Sequence, residues 1–356
     1  MARFAIDARM ADRSGIGNCI RHWMKSAGYD VALAPEGTDV CGAKRIPFDC
    51  GIYGIREQLR FPYRALRREK PDVLHVPHLN VPLFWRGKMA VTIHDLTHLV
   101  HPEFLPNFAA RLYFRLMFRF VAWRADKIMT VSENTKRDFL ARFRPRNPDV
   151  EVVRLGVGAE FVRKPASELA PLREKFGLPE GKRVLMTVGN LLPHKNIPAL
   201  LRAFALLPER GECVLVVVGA AFAGRSEALD LDAPEIRGRV RLTGAVSQEE
   251  LVGLYNLADL FVLPSLYEGF GLPILEAMAC GTPVVASNVS SIPEVGGDVC
   301  GYFDPTDVRD MARAISESLG SKERKAKELA ERVALFSWER SGERVKEILE
   351  RTAAEA

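Results

Sequence analysis

Residues 259–283 read DLFVLPSLYEGFGLPILEAMACGTP, and they limit the possible folds more than any other stretch. Leu260 to Leu263 is a short apolar run, the pattern of a buried strand. A loop follows from Ser265 to Leu272, with Gly269 and Gly271 two residues apart. Pro273 suits the first position of a helix, where its missing N–H deprives no partner. ILEAMAC continues that helix, and Gly281 fits the position just past its end. The apolar run from Pro283 to Ala286 then re-enters a sheet. A strand, a glycine loop, a helix and a second strand form the repeating unit of an α/β fold.

The layout also suggests chemistry. A helix start presents free N–H groups and the positive end of a dipole, so it favours an anion. Gly269 and Gly271 let backbone approach a ligand closely. Glu268 precedes the helix and Glu276 falls in its first turn, so they should reach different parts of one ligand. Acids repel phosphate, so these two are expected to accept hydrogen bonds from hydroxyl groups. A diphosphate flanked by two polyols, as in a nucleotide sugar, meets the description. A tight turn with two solvated glutamates has the same spacing.

The segment E-G-F-G-L-P-x-x-E (Glu268 to Glu276), followed by A-x-A-x-G-x-P-V-V-A, resembles the signature of family 4 of the retaining glycosyltransferases. The resemblance implies a GT-B fold: two Rossmann-like domains facing across a cleft, with a terminal helix crossing back to the first. It places the nucleotide sugar mostly on the second domain and the acceptor mostly on the first.

A chain of 356 residues is natural for two domains. Hydrophobic residues make up 47% and charged residues 27%, an ordinary balance for a soluble protein. The six cysteines are scattered without a C-x-x-C pair, which argues against a zinc site or a disulfide scaffold and suits a reducing cytoplasm. The chain opens on a strand-like ARFAIDAR, so no secretory leader is expected, and no apolar run approaches the ~20 residues of a membrane span. The net charge of +5 hides an asymmetry. Residues 1–158 carry 26 Lys and Arg against 16 Asp and Glu, whereas 159–356 carry 24 against 29. The basic half is the one expected to meet an anionic partner.

The expected domains are residues 1–158, a linker over 159–181 marked by Pro165, Pro171 and Pro179, a second domain over 182–336, and a terminal helix over 337–356. In the first, residues 3–8 read as a strand, Ser14 to Asn18 as a glycine loop, and the residues through Trp23 as a helix. Residues 30–55 show no regular pattern. Residues 56–70 are partly helical, and 72–77 is a strand. AVTIHDL (90–96) is a stronger strand, ending at His94. Ligands of open α/β sheets collect at the carboxyl ends of strands, so His94 stands where a functional histidine would, although isolated histidines are usually structural. His98 and His101 follow in a loop that could face an acceptor. In FAARLYFRLMFRFVAWRADK (108–127), Arg111, Arg115 and Arg119 share one side of a helix that also has plentiful apolar surface. Such a helix can lie on an anionic membrane; an ordinary amphipathic helix with a solvated basic side has the same composition. Ser132 suits a helix N-cap, and 151–157 is the last strand.

In the second domain RVLMTVGN (183–190) is a strand. Lys195 ends the loop after it, where a point charge suits a diphosphate. CVLVVVG (213–219) is a buried strand followed by Arg225, and 239–259 is a strand, a turn and a helix.

The resemblance assigns roles. Lys195 and the backbone from Gly269 through Phe270 and Gly271 to Leu272 would hold the diphosphate. Glu276 would bind the ribose, and Val246 would border the base. Glu268 and His94 would contact the transferred sugar, and Gly17 would line the approach. Asn190 and His194 stand where the family often has a second cation. No metal or other cofactor is implied. IDAR…SGIGN, the REQL stretch and TIHDLTHLVHPE resemble bacterial enzymes of surface-polysaccharide synthesis, many of them mannosyltransferases. The expected donor is therefore GDP-mannose, with UDP- and dTDP-sugars open. The expected acceptor is a glycan or lipid-linked glycan, met in the cytoplasm or at the inner membrane face. A non-catalytic nucleotide-sugar-binding subunit and a nucleotide-sugar epimerase are the alternatives. A nucleic-acid partner is not expected, because no binding motif accompanies the charge.

Overall fold

The computed structural model describes residues 2–12, 14–52, 54–219, 231, 233–320 and 326–355. Two compact units emerge: Met1–Gly156 with Phe336–Ala356, and Val157–Leu335.

The first unit runs β1 (Phe4–Asp7), α1 (Ser14–Ser26), β2 (Val31–Ala34), β3 (Lys44–Pro47), α2 (Ile55–Arg60), α3 (Tyr63–Glu69), β4 (Val73–Val76), β5 (Lys88–Ile93), α4 (Thr97–Val100), α5 (Phe108–Arg124), β6 (Lys127–Thr130), α6 (Glu133–Arg142) and β7 (Val150–Val152). Its seven strands are all parallel, in the order β3-β2-β1-β4-β5-β6-β7. Strands of such a sheet are covered on both faces, and β1, β2, β4 and β6 are buried at every position. Two sequence expectations are corrected. Residues 30–55 hold β2 and β3. The latter, KRIP, reads poorly because an edge strand keeps polar residues and tolerates proline. The glycine loop at 14–18 is already the first turn of α1.

In α5 the Asn107 side chain caps the start by accepting from the Ala110 N–H at 2.9 Å. Phe114, Met117, Phe118, Val121 and Ala122 face the core. Leu112, Leu116 and Trp123 remain exposed beside Arg111, Arg115 and Arg119. Ser132 caps α6 as expected, accepting from the Thr135 N–H at 3.1 Å.

The second unit runs α7 (Ala166–Lys175), β8 (Arg183–Val188), α8 (Ile197–Leu206), β9 (Cys213–Val218), β10 (Val240–Gly244), α9 (Gln248–Leu257), β11 (Leu260–Leu263), α10 (Leu272–Ala279), β12 (Val284–Ser287), α11 (Ile292–Gly296), β13 (Gly301–Phe303), α12 (Val308–Gly320) and α13 (Ala326–Val333). Six parallel strands take the order β10-β9-β8-β11-β12-β13. The span 159–181, expected as a linker, instead carries α7 and belongs to this unit. Arg225 lies outside the described residues.

The closing helix α14 (Trp338–Ala354) belongs to the first unit and packs on α1. Close approach requires Gly342, because a Cβ there would fall 1.7 Å from Ser26 Oγ. Glu151 on β7 fastens the helix, accepting from Arg344 and Arg351 at 2.5 Å each and from the buried Lys127 at 2.7 Å.

Strand order reverses between β1 and β4 in one sheet and between β8 and β11 in the other. At such a switch point the loops leaving two adjacent strands diverge and open a crevice, the usual ligand position in this class of sheet.

Candidate functional site

The loops leaving β8 and β11 bring together what the sequence separates by over seventy residues. Lys195 Nζ donates to Glu268 Oε1 at 2.7 Å, and both side chains are mostly buried. Gly189 makes room for the lysine stem, since a Cβ there would lie 3.3 Å from Lys195 Cγ and Cδ. The two loops are tied directly, with the Leu266 N–H donating to the His194 carbonyl at 2.7 Å. Asn196, in the left-handed region at φ 56°, donates from Nδ2 to the Pro264 and Pro305 carbonyls at 3.1 and 2.9 Å.

Three serines that sequence reasoning missed hold the glycine loop. Ser265 Oγ donates to Glu268 Oε1 at 2.5 Å. The Glu268 N–H donates to Ser290 Oγ at 3.0 Å. Ser291 Oγ bridges the Glu268 and Phe270 carbonyls at 2.8 and 2.9 Å. A Ser-Ser pair in the loop after β12 was the available signal, but its target lies more than twenty residues away. Gly271 turns the chain at φ 108°, a conformation side chains resist, and α10 starts at Leu272 with Pro273 second. At its other end the Gly281 and Thr282 N–H groups return to the Met278 and Ala277 carbonyls at 2.9 Å each, with Gly281 at φ 75°.

Glu276 lies in the second turn of α10 rather than the first. Its Oε2 accepts from the Tyr255 hydroxyl at 2.8 Å. Burial, reinforced by Glu160, pushes its carboxyl up to about 7 against that hydrogen bond. Val246 is half-buried in the turn between β10 and α9. Of the two positions for a second cation, Asn190 has a buried Oδ1 without a partner among the described residues, and His194 lies in the turn Pro193–Lys195.

The first unit carries the remaining expected residues. His94 follows β5, and its Nε2 lies 3.0 Å from the Pro77 carbonyl, which makes Nε2 the donor and leaves Nδ1 as an acceptor. Burial lowers its pKa to about 4, so the ring is neutral. It stacks at 6.0 Å on Trp23 of α1, whose Nε1 donates to Ser341 of α14 at 2.9 Å. The closing helix thus supports the histidine through the tryptophan. Gly17 abuts the turn after β1, where a Cβ would lie 2.5 Å from the Met10 and Ala11 carbonyl oxygens. Its structural demand is backbone packing.

Beneath this switch point lies a sealed ionic network. Arg9 holds Asp7 at 2.7 Å and Glu57 at 2.8 Å, and all three side chains are at most 2% exposed. Burial alone would raise the Asp7 pKa, but the Arg9 guanidinium and His78 together outweigh it and keep the carboxyl well below its ordinary range. Asn80 Nδ2 donates to Glu57 Oε2 at 3.2 Å and to the Tyr113 hydroxyl at 2.8 Å. The IDAR, REQL and HLN stretches therefore meet in one cluster. Arg111, Arg115 and Arg119 are outside it, on the solvent face of α5.

Comparison with known proteins agrees with this architecture. Residues 21–161 match the family model Glycosyltransferase Family 4, and residues 170–334 match Glycosyl transferases group 1. The chain is 34% identical over 259 residues to the O-antigen chain mannosyltransferase B of Escherichia coli, covering 72% of this chain and 67% of that one. It is 35% identical over 278 residues to the serotype-specific mannosyltransferase WbdA of Escherichia coli, covering 74% of this chain but only 33% of that longer protein. The sucrose-phosphate synthase structure from Thermosynechococcus elongatus superposes with a TM-score of 0.82 at 21% identity over the whole of both chains. With the fold, the glycine-loop motif and a third of the residues shared across most of its length, the chain belongs to glycosyltransferase family 4 and is a glycosyltransferase of the GT-B fold.

Proposed function

We propose that this chain transfers a mannosyl group from a nucleotide diphosphate sugar, GDP-mannose first among the candidates, to a glycan or lipid-linked glycan during cell-surface polysaccharide synthesis. The observation that carries the reading is the Lys195–Glu268 pair set between a glycine loop and the start of α10 at the switch point. Lys195 spends one of its three N–H donors on Glu268 and keeps two for the diphosphate. Glu268 has a second oxygen for a sugar hydroxyl, and Glu276 one for the ribose. Lys195 and the helix start neutralise the departing diphosphate, so no divalent cation is required. The C1–O bond to phosphate breaks and a C1–O bond to the acceptor forms on the same face, with retention. The acceptor's hydroxyl proton passes to an oxygen of the departing diphosphate on that face. Mannose as the sugar and a surface polysaccharide as the product rest on the relatives' names and on the resemblance of the first 135 residues.

The same reading puts the enzyme at the inner face of the cytoplasmic membrane. No helix among the described residues is long and apolar enough to cross a membrane. The outer side of α5 nevertheless exposes Phe108, Leu112, Leu116 and Trp123 between Arg111, Arg115 and Arg119. Next to it Arg67, Arg86, Phe84 and Trp123 line a groove of about 560 Å³. Basic and aromatic residues interleaved on one surface suit anionic headgroups.

A thermal-shift panel of GDP, UDP, dTDP and ADP with their common sugar conjugates, each with and without EDTA, tests the donor assignment. A ligand of the folded state raises stability with its affinity. GDP-mannose should give the largest shift, unchanged by EDTA. A larger shift with another base would overturn the donor, and a shift abolished by EDTA would overturn the metal-free mechanism.

A further inference from the structure

Glu276, on α10, commits only one of its two carboxylate oxygens to the protein. Oε2 accepts from the Tyr255 hydroxyl at 2.8 Å, and Oε1 has no hydrogen-bond partner among the described residues. Glu268 is built alike, with Lys195 and Ser265 both donating to Oε1 and Oε2 left over. The donors differ in kind. Glu268 is held by a cation, whereas no lysine, arginine or histidine among the described residues pairs with Glu276.

A phenol has one hydrogen and occupies one oxygen, whereas a guanidinium can take both oxygens of a carboxylate at once. A neutral donor also leaves the carboxylate its full charge, so the second oxygen remains a charged acceptor. Burial and the nearby Glu160 push the Glu276 carboxyl up to about 7, and Tyr255 is the group whose hydrogen bond opposes them. Of its other neighbours, the Cys280 thiol one turn on is kept neutral by burial. Arg332 of α13, the helix packed against α10, is directed to the Glu294 and Val295 carbonyls.

Tyr255 is itself fixed. It lies on α9 and is 0% exposed. Its ring meets those of Phe161 and Phe261 edge-on, with centroids 6.0 and 5.5 Å away. Its backbone carbonyl accepts from Thr282 Oγ1 at 2.6 Å, just past the end of α10. Hydroxyl and glutamate therefore stand on two helices that are tied together. A phenylalanine would fill the same space, so packing alone does not require the oxygen. The partner of that oxygen among the described residues is the Glu276 carboxylate.

We propose that Tyr255 is a positioning residue for the nucleotide, its hydroxyl holding Oε2 of Glu276 so that Oε1 is left for the ribose hydroxyls. The inference rests on the transferase reading above, in which Glu276 binds ribose, and adds the residue through which the fold sets that glutamate.

Calorimetric titration of the full chain with GDP, UDP and ADP, each beside its 2′,3′-dideoxy analogue, provides the test over a pH range spanning 7. Tyr255→Phe keeps the ring and its aromatic contacts and removes only the hydroxyl. It should bind the preferred nucleotide about fivefold more weakly, short of the loss from Glu276→Gln. The dideoxy analogue has no ribose hydroxyl for Glu276 to hold, so variant and wild type should bind it equally. Adding Tyr255→Phe to Glu276→Gln should cause no further loss, since the hydroxyl acts through the carboxylate. The pH at which affinity rises should move up in Tyr255→Phe, because a hydrogen bond that favours the charged form is gone. Unchanged affinity in Tyr255→Phe, or an equal loss with the dideoxy analogue, would overturn the role. A lower melting temperature with affinity and pH midpoint unmoved would leave a core tyrosine and overturn it too. Donor turnover is followed in the same samples and separates the two readings. Transfer by a wild type whose affinity ignores Tyr255→Phe sinks the positioning role alone. Wild type that binds none of the three nucleotides overturns the role, and with no transfer from any donor it sinks the transferase reading as well.

Discussion

At the switch point of the second sheet, partly buried charges gather on the loops that leave the strands. Lys195 and Glu268 pair there, and Glu276 waits half-buried with its carboxyl held up to about 7. At the switch point of the first sheet the charges are sealed below the crevice. Asp7, Arg9 and Glu57 pair with one another out of water, and imidazoles remain above them. The same topology thus carries two kinds of site. A paired lysine and carboxylate next to a helix start fit an anionic diphosphate with hydroxyls at either end. Imidazoles above a buried ionic floor offer hydrogen-bond donors and acceptors instead.

The sharpest way to break this contrast is to remove charge from the second site. Lys195→Ala should cut kcat by about 10²–10³-fold, the usual cost of deleting a group that stabilises a leaving oxyanion. Glu268→Ala should abolish transfer while nucleotide affinity and melting temperature stay near wild type. Normal turnover in either variant would remove that residue from the mechanism. Steady-state kinetics beside calorimetric nucleotide titration gives both readouts.

The first site should respond through stability. Arg9→Met leaves two carboxylates buried without their partner and should cost about 3–5 kcal/mol in urea unfolding. A loss below about 1 kcal/mol would show that the network is not the rigid floor described here. Arg111→Gln, Arg115→Gln and Arg119→Gln together should weaken sedimentation with anionic vesicles by about 100-fold at low salt, at roughly 1 kcal/mol per charge. Unchanged sedimentation would remove the membrane face.

The smallest effect is in pH. If Glu276 binds ribose as a carboxylate, nucleotide affinity rises as pH increases through about 7. The ligand-free fold behaves oppositely. A carboxyl raised above its unfolded value of about 4.3 favours folding at low pH and gives up that contribution as pH climbs to its folded value. Glu276→Gln should flatten both trends and lower affinity about tenfold, the scale of one hydrogen bond to a charged group. A pH-independent wild type would contradict this role.

Much of the second unit was legible in the sequence because its information is local. Strand, glycine loop, proline and helix stop follow one another within twenty-five residues, and Gly271 and Gly281 take the left-handed conformations that their positions suggest. Lys195 could be placed at a strand end, but its pairing with Glu268 could not, since that depends on the adjacency of β8 and β11. Tyr255, Ser290 and Ser291 were missed for the same reason: each acts on a residue about twenty positions away, on another element. In the first unit the failure went deeper. IDAR, REQL and HLN carry no periodic signal, and only the fold brings them into one cluster. Single histidines in a sequence look alike, and only hydrogen-bond partners separate the satisfied His75 from His78 and His98. Gly17 looked like loop because glycine usually is, yet it is helical and small to clear two carbonyls.

The central claim is the division of labour between the two switch points, and hydrogen–deuterium exchange of the full chain with GDP, or with whichever nucleotide the thermal panel selects, tests it most directly. The account predicts slowed exchange at residues 189–196 and 264–276, where the nucleotide's phosphates and ribose are held. Protection confined to residues 77–98, with none at 189–196 or 264–276, would contradict it.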